Sequence, residues 1–165
     1  MDGVCGECSC SHPEMPIPPL DNRGLLPSGV HDCTLEEIDK AFSSTNPKHT
    51  RAILFDGLRD FVKLIQFVGW VKLVFVDGSF VTDKESPGDI DVTIELPAAS
   101  PEVAATFLKS SIFNRDQIKQ KYGVDVLPTT EHQDLRDFFQ SLKTSEARKR
   151  GLQPNAVKGI LRLKL

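Results

Sequence analysis

One stretch in the middle of the chain limits what it can fold into. Val71 to Val76 is almost continuously apolar, then comes Asp77-Gly78-Ser79, a short polar loop, and Asp89-Ile90-Asp91-Val92. A nearly continuous apolar run of that length reads as a strand covered on both faces. The segment from Asp89 to Leu96 alternates instead, with Asp89, Asp91, Thr93 and Glu95 on one side and Ile90, Val92, Ile94 and Leu96 on the other. Successive strand side chains point to opposite faces, so Asp89 and Asp91 are expected to project together. Two adjacent carboxylates repel unless a cation sits between them. Hard divalent cations such as Mg²⁺ take oxygen ligands and keep places for substrate phosphates. A Gly-Ser turn beside them lets backbone N–H groups and a hydroxyl approach a phosphate closely. The order of these parts suits a site where metal ions meet a nucleoside triphosphate.

A third acid normally completes such a site. Asp125 is the better candidate, because Val124 and Val126 flank it and their burial would aim it alone at the opposite face. Glu95 competes, since it shares the face of Asp91. Asp77 is expected to cap the turn by accepting backbone hydrogen bonds. Lys84 is a candidate phosphate contact on the loop; Lys158-Gly159 is either a second approach to phosphate or, more simply, a turn before the last strand. His31 and His49 are single histidines and receive no role.

Helix signals surround these strands. Thr34-Leu35-Glu36-Glu37 has capping-box spacing and predicts a short helix to about Phe42. Asn46-Pro47 opens a longer one ending at Gly69, with Ile53, Leu54, Leu58, Phe61, Leu64, Ile65 and Val68 as its buried stripe. Further helices are expected from Ser100 through Leu108, from Asn114 to Lys121 and around Leu135 to Leu142. Val124 to Leu127 reads as a third strand, and Ile160 to Leu165 as a half-buried terminal strand. Arg23 to Asp32 and Lys143 to Asn155 read as loops.

A chain of 165 residues suffices for one domain with a real core. Residues 1–16 are expected to form a disordered Cys/Pro-rich lead, with 17–165 as the single folded unit and Met15 a candidate start. Cys5, Cys8, Cys10 and His12 offer zinc-type ligands in that lead, but a disordered thiol-rich tail is the favoured reading, because a zinc site usually needs a second ligand pair on a folded element. A net charge of −3 gives no basic surface for coating nucleic acid. No apolar run reaches the ~18–20 residues of a membrane span, and the N-terminus has no secretory h-region, so a cytoplasmic location is expected.

Gly78-Ser79, Asp89 and Asp91, and the apolar-acid-apolar unit at Asp125 resemble the three-part motif of the polymerase-β-type nucleotidyltransferase superfamily. From Ile17 onward the chain also resembles a family of small bacterial nucleotidyltransferase-like proteins of unassigned role. Ile17-Pro18-Pro19, Gly24 to His31, Thr34 to Glu37, Asp77 to Thr82, Pro87 to Asp91, Lys121-Tyr122-Gly123 and Lys158-Gly159-Ile160 carry that likeness. The resemblance implies a minimal α/β (α+β) fold, a mixed sheet flanked by helices. It implies Mg²⁺- or Mn²⁺-dependent transfer of a nucleoside monophosphate from NTP to a hydroxyl of a protein or RNA acceptor. Asp89, Asp91 and Asp125 would be the catalytic metal carriers, with Gly78, Ser79 and Lys84 on the nucleotide. Nothing after Asn155 is long enough for the helical domain of larger members, so acceptor and base selection would fall to a partner protein or a homodimer. By analogy such modules belong to toxin–antitoxin or defence loci. The alternative is an inactive nucleotide-binding or partner-binding module, antitoxin-like in role.

Overall fold

The computed structural model describes residues 17–43, 49–71, 73–96, 102, 105–106, 109–110, 113–130 and 136–165. Five strands form one mixed sheet: β1 (Gly29–Cys33), β2 (Leu73–Asp77), β3 (Ile90–Leu96), β4 (Val124–Thr130) and β5 (Gly159–Lys164). Their order across the sheet is β1-β5-β2-β3-β4. The outer pairs, β1 with β5 and β3 with β4, are parallel; β2 runs antiparallel to both of its neighbours. With helices on the sheet this is the α+β architecture expected from the sequence.

The described residues include the helices α1 (Leu35–Ile38), which continues as a π-helical turn over Asp39–Ser43, α2 (His49–Val68), α3 (Arg115–Tyr122), α4 (Arg136–Gln140) and α5 (Thr144–Lys149). Thr34 and Glu37 close the capping box: the Glu37 amide donates to Thr34 Oγ1 at 3.2 Å and the Thr34 amide to Glu37 Oε2 at 2.8 Å. Gly69 ends α2 with φ +72, a left-handed conformation that glycine adopts without a steric cost. The main core lies between α2 and the sheet. Leu54, Leu58, Phe61, Val62 and Ile65 meet Val74, Val76, Ile90, Val92, Val124 and Val126 there, all buried. Each such side chain contributes roughly 1.5–3 kcal/mol on burial.

Four expectations need correction. Ile53 is 54% exposed and lies outside the α2 stripe, whereas Phe55 is buried within it. Gly29–Cys33 is a strand rather than loop, because its pairing partner β5 lies 130 residues along the chain and local composition carries no trace of it. For the same reason β5 is an interior strand between β1 and β2, not a half-buried terminal one. The basic segment after Lys143 folds into α5, anchored by a fully buried Ala147 packed with Leu25 and Leu142. Cys5, Cys8, Cys10 and His12, the Asn46-Pro47 helix start, Leu135 and most of the helix expected from Ser100 to Leu108 lie outside the described residues. No helix among the described residues is long and apolar enough to cross a membrane.

Candidate functional site

The register of the sheet lines up three carboxylates. Asp77 on β2 is opposite Asp91 on β3, and Asp91 is opposite Asp125 on β4. Neighbouring strands lie about 4.8 Å apart, so the three acids form one row on the face away from α2. Asp89 stands just before β3, two residues from Asp91 along the strand, and shares the Lys119 ammonium with Asp125. The pairing brings Asp125 to Asp91. Glu95 pairs with Thr129 instead and sits four residues further along β3, about 13 Å from Asp91, so it does not join them.

Asp77 does not cap the turn as expected; its side chain makes no cap hydrogen bond. Lys158, just before β5, donates to its carboxylate, and both residues are buried. Burial pulls the Lys158 ammonium down to about 8. Lys158 therefore neutralises the row at Asp77, a structural ion pair rather than a turn.

Gly78 and Ser79 begin a one-turn 3-10 helix, Gly78–Val81, whose Phe80 and Val81 are buried. Gly78 has φ +82, and a Cβ there would run into the carboxylate of Asp91. Only glycine lets the turn and the acid approach so closely. Gly78→Ala is expected to cost roughly 1–3 kcal/mol of stability, through left-handed strain and overpacking together. A urea titration followed by circular dichroism measures it, and a loss under about 0.5 kcal/mol would contradict this account.

The loop between Gly78 and Asp89 is fastened from beneath by Arg51 on α2, which is 2% exposed. Its guanidinium donates to the carbonyls of Phe42 (3.1 Å), Phe80 (2.8 Å), Thr82 (2.8 Å) and Lys84 (2.5 Å). It also lies 5.4 Å from the Phe80 ring centroid. Arg150 adds a second tie, 2.9 Å from Asp83 and 3.0 Å from Glu146. Lys84 thus contributes its carbonyl to the loop's anchorage. Its exposed side chain has no contact with the acid row among the described residues.

Two cations that the motif reading passed over face the acids from α3. Arg115 Nε is 2.6 Å from Asp125 Oδ1. Lys119 Nζ bridges two carboxylates, 2.6 Å from Asp89 Oδ2 and 2.9 Å from Asp125 Oδ2. The signal for them was their i, i+4 spacing on a helix that leads straight into the Asp125 strand. The Arg115 hydrogen bond holds the Asp125 carboxyl below its ordinary range, with Lys119 adding to it against the effect of burial. Asp91 goes the other way: burial raises it, and the charges of Asp89 and Asp125 raise it further, opposed by Lys143 and Lys119. Lys119 itself is pushed up by Asp89 and Asp125.

The acids are all hard oxygen donors, the class that Mg²⁺ and Mn²⁺ prefer. Among the described residues no group of three or more His, Cys, Asp or Glu side chains is arranged to hold a metal ion. Part of the reason is visible: the Lys119 ammonium stands between Asp89 and Asp125. The donor chemistry fits a divalent cation, and the observed rotamers satisfy the acids with protein cations instead.

A family model matches residues 18–164. The chain belongs to DUF6932, a family of unknown function. The match spans β1 through β5, and so takes in the acid row, the Gly78 turn, Arg51 and both cations of α3. No curated protein and no solved structure matches the chain. For this DUF6932 chain the arrangement of the site must therefore carry the functional reading.

Proposed function

We propose that this DUF6932 chain is a metal-dependent nucleotidyltransferase. It would transfer a nucleoside monophosphate from NTP to a hydroxyl of a protein or RNA acceptor: the acceptor oxygen bonds to the α-phosphorus and loses its proton, the bond to the β-phosphate breaks, and pyrophosphate leaves. The observation that carries the reading is the register of Asp91 with Asp125, with Gly78 packed against the Asp91 carboxylate. Asp91 lies against a turn whose backbone approaches its carboxylate as closely as glycine allows, with Asp125 beside it on the next strand. A divalent ion held by Asp89, Asp91 and Asp125 would neutralise phosphate charge and favour attack by the acceptor oxygen. Gly78 and Ser79 would hold the triphosphate against that row. Asp91, kept protonation-prone by burial and like charges, is the group whose ionisation a bound cation would favour most.

The test is incubation of the purified protein with labelled NTPs, Mg²⁺ or Mn²⁺, and cell lysate, followed by identification of what becomes labelled. Acid-stable label on a macromolecule, lost in an Asp91→Asn variant, is the expected result. Nucleotide binding without transfer under any of these conditions would favour a second reading, a polyphosphate-binding module. One observation supports that reading: Lys119 stands where a cation would be needed.

A further inference from the structure

Lys119 has the geometry of an ion rather than of a surface lysine. Its Nζ contacts Asp89 and Asp125, residues 36 positions apart in the chain, at 2.6 and 2.9 Å. The side chain is nonetheless 45% exposed, so nothing packs it in place. The helix that carries it is fixed. Asn114 caps α3, Ile118 is buried, and the Tyr122 carbonyl lies against the Cα of Gly57 on α2, where a Cβ would not fit. A rigid helix therefore presents a mobile cation on a flexible stem.

Three carboxylates, Asp89, Asp91 and Asp125, face two cations, Arg115 and Lys119. With Lys119 withdrawn and Arg115 still on Asp125 Oδ1, the cluster carries two net negative charges, the complement of one divalent ion. A second observation lies directly behind Asp91 on the same face of β3. Thr93 is 3% exposed, and its Oγ1 has no hydrogen-bond partner among the described residues. A buried hydroxyl of that kind normally has a partner, an ordered water or a ligand shell included.

We propose that Lys119 is a tethered counter-ion that holds the divalent-metal position and must leave before a metal ion binds. This rests on the metal site read above. Divalent cation alone competes poorly with an ammonium already on two carboxylates. A polyphosphate entering with the metal offers Lys119 a replacement anion within reach of its stem, so metal and nucleotide bind as a unit. The position is a gate against metal without substrate.

The test measures Mn²⁺ affinity by electron paramagnetic resonance of free Mn²⁺, with no turnover required. Lys119→Gln is expected to bind Mn²⁺ alone at least about tenfold more tightly than the wild-type protein, since a full positive charge is removed a few ångströms from the site. Lys119→Met, which cannot ligate through oxygen, should show the same gain. Adding Asp91→Asn to either variant should abolish it. An Mn²⁺ affinity within twofold of wild type for both Lys119 variants, with unchanged melting temperatures, would overturn the proposal. A separate arm, wild type with Mn²⁺ and ATP, reports on the metal-site reading itself. Absence of cooperative Mn²⁺ uptake there, with the Lys119 gain present, would sink the nucleotide reading while leaving the counter-ion in place.

Discussion

Asp91→Asn is expected to abolish nucleotidyl transfer, by about 10³-fold or more, and at the same time to make the nucleotide-free protein more stable. The loss follows from its place. Asp91 is the centre of the acid row, against Gly78 and between Asp77 and Asp125. Metal-borne charge stabilisation is worth several kcal/mol of barrier, and each 1.4 kcal/mol is tenfold in rate. The gain in stability follows from electrostatics. The Asp91 carboxyl is raised above the ordinary 3.8 by burial, then by Asp89 and Asp125. A carboxyl raised on folding binds its proton more tightly in the folded state. Stability therefore falls as pH rises from the ordinary value through the folded one. Asn carries no charge and escapes that penalty. The stabilisation should be fullest at neutral pH and vanish below the ordinary carboxyl value, where Asp91 is protonated in both states. Asp125→Asn should do the reverse, because Arg115 and Lys119 hold that carboxyl low and their partner would be lost. Thermal melts of both variants between pH 3 and 8, without metal, check the two signs. Equal destabilisation by both would show that Asp91 is a structural acid.

The acid pair, the Gly-Ser turn and the third acid were legible because their chemistry is local. Period-2 alternation locates Asp91, and two flanking valines orient Asp125. What the sequence could not show was which strands lie next to each other. The pairing of β3 with β4 puts Asp125 rather than Glu95 beside Asp91, and no local pattern encodes it. The same holds for β1 and β5, whose Gly-rich and terminal settings read as loop and half-buried terminal strand. Lys158 is a turn residue until the sheet sets β5 against β2; it then becomes the ion-pair partner of Asp77. Arg115 and Lys119 have an exposed helix face's composition, and only the position of α3 aims them at the site. Arg51 carried a readable clue: it lies three residues before Leu54 and seven before Leu58, in phase with the buried stripe of α2. A charged residue in that phase demands partners, and four carbonyls supply them.

Removing those partners' donor should have the largest effect on the fold of any single change. Arg51→Met keeps the apolar stem and its packing on Phe80, but leaves the carbonyls of Phe42, Phe80, Thr82 and Lys84 without their shared donor. An unsatisfied buried carbonyl costs about 1–3 kcal/mol, and the loop will recover part of that by admitting water, so a net loss of about 3–5 kcal/mol is expected. That is a large fraction of the 5–15 kcal/mol available to a domain of this size. Burial lowers the Arg51 pKa; a guanidinium nevertheless stays protonated in proteins, so the loss should not vary across pH 6 to 8. Arg51→Lys should fall between the two, because an ammonium has three donors and no planar fork to span four carbonyls. Chemical denaturation of the three proteins gives the ranking. A loss below about 1 kcal/mol for Arg51→Met would mean that the loop is held by Arg150 and Asp83 instead. The consequence for the site follows from chain connectivity. Three of the four carbonyls, those of Phe80, Thr82 and Lys84, lie within the segment from Gly78 to Asp89, so loosening them should also weaken the stabilisation by Mn²⁺ with ATP in whatever fraction remains folded.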